Sequence, residues 1–192
     1  MRTGQSQRTT RETDIAVRVT LDGTGQAQVD SGNGFFDHML TLLAAHGGLD
    51  VDVSCKGDTQ VDFHHSCEDI GICLGQALKD ALGSKQGIAR YADLHLPMDE
   101  ALVLVALDVS GRGGAYLDVP VAAPMVGAFD TELLPEFLIA FAREAGLTLH
   151  VRLLCGRNAH HIIEAVFKAL GRALKAACQE VGGGVPSTKG IL

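Results

Sequence analysis

His64-His65 is followed by Glu68, and His160-His161 is followed by Glu164. Residues three and four apart share one face of a helix, so each glutamate can meet either histidine of its own motif. Two imidazoles and a carboxylate at that spacing suit Mn, Zn, Fe or Ni better than Ca or Mg. The positive end of a helix disfavours imidazolium, so rings in a first turn are expected to be neutral and free to bind a metal. The two motifs stand 96 positions apart, and that offset also superposes Leu74 on Leu170, Gly75 on Gly171, Leu78 on Leu174 and Lys79 on Lys175. Asp62 falls against Asn158 as a matching cap. One such motif is an ordinary polar helix start; two copies in register are a duplicated metal site.

The elements that must carry these motifs follow from periodicity. After Asn158, a good N-cap, the residues Ile162, Ile163, Val166, Phe167, Leu170 and Leu174 recur at helical spacing. The first motif helix runs to about Leu82. Upstream, Ile15 to Leu21 alternates like a half-buried strand, and the segment Arg8 to Thr13 reads as flexible chain before it. Gly23-Thr24-Gly25 turns the chain, so Gln26 to Asp30 is expected to return as its hairpin partner. Phe35 to His46 reads as a helix ended by Gly47-Gly48, and Asp50 to Ser54 as a strand.

The second half repeats this order. Val103 to Gly111 is a strand, Thr131 to Ala145 a helix ended by Gly146, and Leu147 to Leu154 a strand that turns into the second motif. An offset of 98 aligns Gly48 with Gly146 and places Glu136 opposite His38. Each half thus reads strand–strand–helix–strand–helix, residues 1–92 and 93–192, with the join near Arg90 to Pro97. The expected class is α+β: two duplicated half-domains, each a mostly antiparallel sheet with two helices on one face, and the helices of the two halves packed together.

Composition bounds the reading. The chain has 192 residues, 46% of them hydrophobic, and a formal charge of −7. That excludes a disordered chain and argues against a nucleic-acid partner. No apolar run is long enough to span a bilayer, so no membrane partner is expected. Five cysteines, an odd number without zinc-like pairing, fit reduced thiols in a cytoplasm, with Cys73 and Cys178 as small core residues.

With the duplication, His38 and Glu136 become equivalent third ligands. Each site would take one of them, a His and a Glu from the adjacent motif, and a His from the other motif. His46, at a helix end, is a candidate for substrate contact; His95 is expected at the surface and His150 in a strand. Arg90, Arg112, Lys168 and Lys189 lie beside turns or in a metal helix, where an anion pocket would draw on them. The tail from Gly182 to Gly190 is either a frayed end or a source of hydroxyl, amide and ammonium donors for a phosphate.

Several phrases then carry a resemblance. Arg11-Glu12-Thr13, Gly34-Phe35-Phe36-Asp37-His38, Gly57-Asp58, Gly87-Ile88-Ala89-Arg90-Tyr91, Pro97-Met98-Asp99-Glu100-Ala101, Asp108-Val109-Ser110-Gly111-Arg112, both His-His-x-x-Glu motifs and Pro186-Ser187-Thr188-Lys189-Gly190 occur along nearly the whole chain. In these the sequence resembles the imidazoleglycerol-phosphate dehydratases of histidine biosynthesis. The resemblance implies a lyase with two Mn2+ per chain, built as a 24-subunit shell with active sites between subunits. It implies the metal ligands His38, His64, His65, Glu68, Glu136, His160, His161 and Glu164. Substrate contacts would fall on Glu12, His46, Arg90, Arg112, Lys168, Ser187, Thr188 and Lys189, besides the ligands His38, His64, His65, Glu68 and His161. Glu12 would be the base that removes a carbon-bound proton once two metals stabilise the substrate imidazolate. Three positions depart from the family pattern: Glu136, where histidine is usual; Phe63, where Asp or Ala is more familiar; and the glycines after Arg112.

Two other classes compete. A dinuclear phosphate-ester hydrolase would use metal-bound water and an Asp-rich bridging set, which this chain lacks. A metal-storage shell would carry Glu-x-x-His on an all-helical chain, which the strands argue against.

Overall fold

The computed structural model describes residues 1–192. Its first half places β1 (Thr3–Thr9), β2 (Thr13–Thr20), β3 (Ala27–Asp30), α1 (Gly34–Gly47), β4 (Asp50–Gly57) and α2 (His64–Leu82) in order. Alternation decides the faces: Ile15, Val17 and Val19 on β2, and Val51, Val53 and Cys55 on β4, all point inward and are buried. The strands order as β1-β2-β4-β3, antiparallel except for β3 against β4. A parallel pair needs a crossover, and α1 supplies it.

Three expectations change here. The stretch before β2 is not flexible: Thr3–Thr9 is an edge strand in register with β2 from Thr3↔Thr20 to Thr9↔Asp14. Its side chains are almost all polar and only Gly4 is buried, so it shows no apolar alternation to read. Gln26 to Asp30 does not form a hairpin with β2; its strand pairs in parallel with β4, Ala27 opposite Val51. The intervening turn wraps the Asp50 carboxylate, whose Oδ1 accepts from the amides of Thr24, Gly25 and Gln26 at 2.8, 3.1 and 3.0 Å. Nor is the stretch from Arg90 to Pro97 a simple join, because Tyr91–Met98 forms β5.

The second half then repeats the first. β5, β6 (Ala101–Asp108), β7 (Gly114–Asp118), α3 (after a short hairpin of β8 (Met125–Val126) and β9 (Phe129–Asp130)), β10 (Thr148–Cys155) and α4 (Ala159–Cys178) follow in turn, α3 spanning Leu133–Ala145. The sheet order β5-β6-β10-β7 matches β1-β2-β4-β3, again with one parallel pair, β7 on β10. The fold is α+β, as expected, with one more strand in each four-stranded sheet than the sequence suggests and the β8–β9 hairpin added in the second half.

Sheet one packs on α1 and α2, sheet two on α3 and α4, and the helices meet as α1 with α4 and α2 with α3. The motif helices therefore each cross a helix of the other half. Phe36, Phe63, Phe129, Phe137 and Phe167 interlock between them, with Phe36 edge-on to Phe137 at 5.2 Å and to Phe63 at 5.7 Å. Phe63 is thus a core residue beside the first motif. No helix is long and apolar enough to cross a membrane.

Both crossings depend on glycine. Gly75 on α2 lies against the Phe141 carbonyl of α3, and its counterpart Gly171 on α4 lies against the Leu43 carbonyl and Gly47 amide of α1. A methyl at Gly171 would overlap backbone, which cannot swing aside. Gly171→Ala is expected to destabilise the metal-free protein by about 1–3 kcal/mol through overpacking, outweighing the roughly 1 kcal/mol helix preference for alanine. Gly34→Ala, where a methyl meets nothing within 4 Å, is the control. Thermal denaturation should show a lower midpoint for the first and no loss for the second; equal midpoints would contradict the close crossing.

Candidate metal centre

Asn158 starts α4 as expected: its Oδ1 accepts from the amides of His160 at 2.9 Å and His161 at 3.3 Å. Asp62 matches it only in part, accepting from His64 N alone at 2.8 Å while Phe63 holds the cap position of α2. Both motifs therefore begin their helices and project their imidazoles from the first turn.

The packing of α1 on α4 brings His38 to the second motif. His160 Nε2 lies 3.0 Å from Glu164 Oε2, and His38 Nε2 lies 3.9 Å from the same oxygen. One ligand atom from each of these three residues falls within 4.8 Å of the others. Glu164 is buried while His38 is exposed, so the set opens outward from a fixed carboxylate. Burial pushes the Glu164 carboxyl up, but the Lys168 ammonium at 2.5 Å and His160 override it, leaving it below its ordinary value.

The packing of α2 on α3 makes the reciprocal arrangement. His64 Nε2 and Glu68 Oε2 are 3.8 Å apart, and His64 and Glu136 line one cavity of about 470 Å³ with Asp62 and Asp130. The pairing is crosswise: His38 joins the second motif and Glu136 faces the first. The first-motif set is looser, and no second group of three closes as tightly.

The second histidine of each motif lies outside these sets. His65 Nδ1 is 3.1 Å from Asp58 Oδ2 and 3.9 Å from Glu12 Oε2. His161 Nδ1 is 2.7 Å from Glu100 Oε2, and its Nε2 is 3.6 Å from Asp99. At these two rings a neighbouring carboxylate works against the helix end, which is expected to disfavour the charged form. The hydrogen bond to Asp58 raises His65 above its ordinary value, and that to Glu100 raises His161. In return His161, with the amides of Asn158 and Arg157, holds the Glu100 carboxyl down to about 2. Neither Asp58 nor Glu100 stands out by residue pattern, though Asp58 follows a turn glycine and both sit in phrases that carry the resemblance.

Glu12 is not in flexible chain. It occupies the turn between β1 and β2, where Thr10 Oγ1 accepts from the amides of Glu12 and Thr13 at 3.0 Å each. Thr13 Oγ1 donates to the buried Asp69 on α2 at 2.6 Å, tying this turn to the first motif helix. The Glu12 carboxylate itself is half exposed.

Five of the substrate candidates gather elsewhere. Arg90, Arg112, Ser187, Thr188 and Lys189 line one open cavity of about 630 Å³. Arg90 anchors it, donating to Asp108 through Nε at 2.7 Å and to the Pro186 carbonyl at 2.7 Å, so the tail is fastened there. Lys168 does not join them; it stays on Glu164 and Met98. His46 sits in the last turn of α1 facing α4, where burial, then Lys168 and Arg172, lower its affinity for a proton. His95 is exposed and His150 stacks on Tyr116, both away from the sets above. All five cysteines are free thiols, with Cys73 and Cys178 buried.

Known proteins share this architecture. The family model described as imidazoleglycerol-phosphate dehydratase matches residues 31–174. The imidazoleglycerol-phosphate dehydratase of Desulforamulus reducens is 58% identical, over 100% of this chain and 98% of its own. That of Azorhizobium caulinodans is 55% identical, over 100% and 99%. The solved structure of the Staphylococcus aureus enzyme superposes with a TM-score of 0.84 at 39% identity, covering 93% of this chain and 99% of that one. The Pyrococcus furiosus structure gives 0.85 at 41%, covering 97% and 100%. With the family model, the full-length relatives and the solved structures in agreement, this chain belongs to the imidazoleglycerol-phosphate dehydratase family.

Proposed function

We propose that this protein dehydrates imidazoleglycerol phosphate to imidazole acetol phosphate, using two manganese ions per chain. The observation that carries the metal reading is the convergence of His38, His160 and Glu164, from helices of opposite halves, to within 4.8 Å. Two imidazoles and one carboxylate are a donor set fitted to a divalent first-row cation. His64, Glu68 and Glu136 are the corresponding set for a second. His65 and His161, turned outside these sets, would complete sites on neighbouring copies in a 24-subunit shell.

When bound, the two cations would supply charge stabilisation to an imidazolate form of the substrate ring. Arg90 and Arg112, with Ser187, Thr188 and Lys189, would hold the phosphate, in a tail that the Arg90 guanidinium already fixes. Glu12 would take the proton from the carbon next to the one that loses hydroxide, so the elements of water depart and the resulting enol becomes the ketone. A carboxylate with no hydrogen-bonded partner is competent for this, and Glu12 is such a group. The site needs no membrane or nucleic acid, and a cytoplasmic location suits an enzyme with free thiols.

The test is incubation with imidazoleglycerol phosphate and manganese, following product absorbance and free phosphate together. Product without phosphate supports the dehydratase. Phosphate release would mean a hydrolase, and binding of metal without either would mean storage. Assembly has its own check. Chelation should leave imidazoles and carboxylates uncompensated between copies, so light scattering is expected to show a large particle breaking into smaller species and re-forming with manganese. A particle indifferent to chelator would place the sites within single chains.

A further inference from the structure

Glu12 and Glu100 occupy the same place in the two halves, each being the residue immediately before the second strand of its sheet. Their surroundings differ. The Glu12 carboxylate accepts no hydrogen bond within the chain, its nearest cationic or imidazole partner being His65 at 3.9 Å. Both oxygens of Glu100 are in use. Oε1 accepts from the amides of Arg157 at 3.1 Å and Asn158 at 2.7 Å, and Oε2 accepts from His161 Nδ1 at 2.7 Å. In the first half that ring contact is made by a residue from another loop: Asp58, just after β4, takes His65 Nδ1 at 3.1 and 3.2 Å. The Asp58 amide in turn donates to the Glu12 carbonyl at 3.0 Å.

We infer that Asp58 and Glu100 are positioning residues that fix His65 and His161 through Nδ1, leaving Nε2 of each ring as the atom offered to a cation, and that this duty occupies Glu100 while leaving its counterpart Glu12 free. The inference rests on the metal reading above. A carboxylate accepts only, so a ring held through Nδ1 carries its hydrogen there and its lone pair on Nε2. Outer carboxylates of this kind also raise the basicity of the ligating nitrogen. Asp99, the other acid near His161, lies 3.6 Å from Nε2, beyond a hydrogen bond and on the side a cation would approach. The two halves thus hold the corresponding ring with different acids. In the first, Asp58 holds the ring and Glu12 is available; in the second, Glu100 does the holding.

Glu100→Gln and Asp58→Asn test this. The amide introduced at position 100 would have one oxygen where the carboxylate uses two, so its NH2 must face either backbone amides or the ring. Facing the ring, it would push the hydrogen onto Nε2 and block it. Manganese affinity, measured by chelator competition on the assembled protein, is expected to fall about 10–100-fold for one equivalent of metal in each variant. The visible spectrum of the cobalt-loaded protein should change with it. Double-mutant cycles separate positioning from structure. If Glu100 acts through His161, then Glu100→Gln added to His161→Ala should cost nothing further, and likewise Asp58→Asn added to His65→Ala. Unchanged affinity and spectrum in both single variants, or costs that add in both cycles, would overturn the inference. Asp58→Asn gives an answer even where the Glu100 backbone contacts prevent folding of its variant. A wild-type protein that binds no manganese would instead defeat the metal reading itself.

Discussion

Glu12→Gln should reduce turnover by roughly 10²–10⁴-fold, the loss typical of removing a positioned acid–base group. Glutamine keeps the size and much of the hydrogen bonding of glutamate but cannot take a proton from carbon. The β1–β2 turn is held by backbone and side-chain contacts that do not involve the Glu12 carboxylate: Thr10 caps the amides, and Thr13 binds Asp69. Substrate affinity, manganese content and melting temperature should therefore stay near those of the wild type. Steady-state kinetics with metal analysis on the same samples checks this. If activity falls together with metal or assembly, the residue is structural. If turnover stays within a few-fold, the base lies elsewhere, and His46, on the same helix as His38, is the next residue to substitute.

The parts of this fold that can be read from the chain are those where apolar period and end signals agree. α4 is the clearest case, with an Asn cap, an apolar stripe and a motif in its first turn. β1 escapes such reading because an edge strand of Gly, Gln, Ser, Arg and Thr draws its stability from main-chain pairing, which leaves no mark on side-chain pattern. β3 departs from its expected partner because neighbours in sequence need not be neighbours in the sheet, and α1 carries the chain across to a parallel pairing. The site divides in the same way. Ligand types and their doubling are local facts of spacing, so both motifs are legible. That His38 meets the second motif and Glu136 faces the first depends on which helices cross, and so on Gly75 and Gly171 as close-approach points. Asp58 and Glu100 come from turns outside the motif helices, and only the folded chain brings them to Nδ1.

Glu164→Gln is expected to have the largest effect on metal, because this buried carboxylate is shared by His160, His38 and Lys168. Metal content should fall from the proposed two manganese per chain toward one, with activity lost alongside. Its counterpart Glu68→Gln should lower metal in the same way, yet the two variants should part in stability. Glu68 is 38% exposed and pairs only with His64, so the metal-free protein loses little when it is neutralised. Glu164 is 8% exposed and receives the Lys168 ammonium, itself only 18% exposed. Neutralising it leaves that ammonium half-buried against an amide, and the lost charged hydrogen bond should cost about 1–3 kcal/mol in the metal-free fold. Metal analysis of purified protein, paired with denaturation after chelation, reads both effects. A stoichiometry unchanged in both variants would sink the duplicated site, and equal loss of stability in the two would mean that Glu164 is not the anchor its burial makes it.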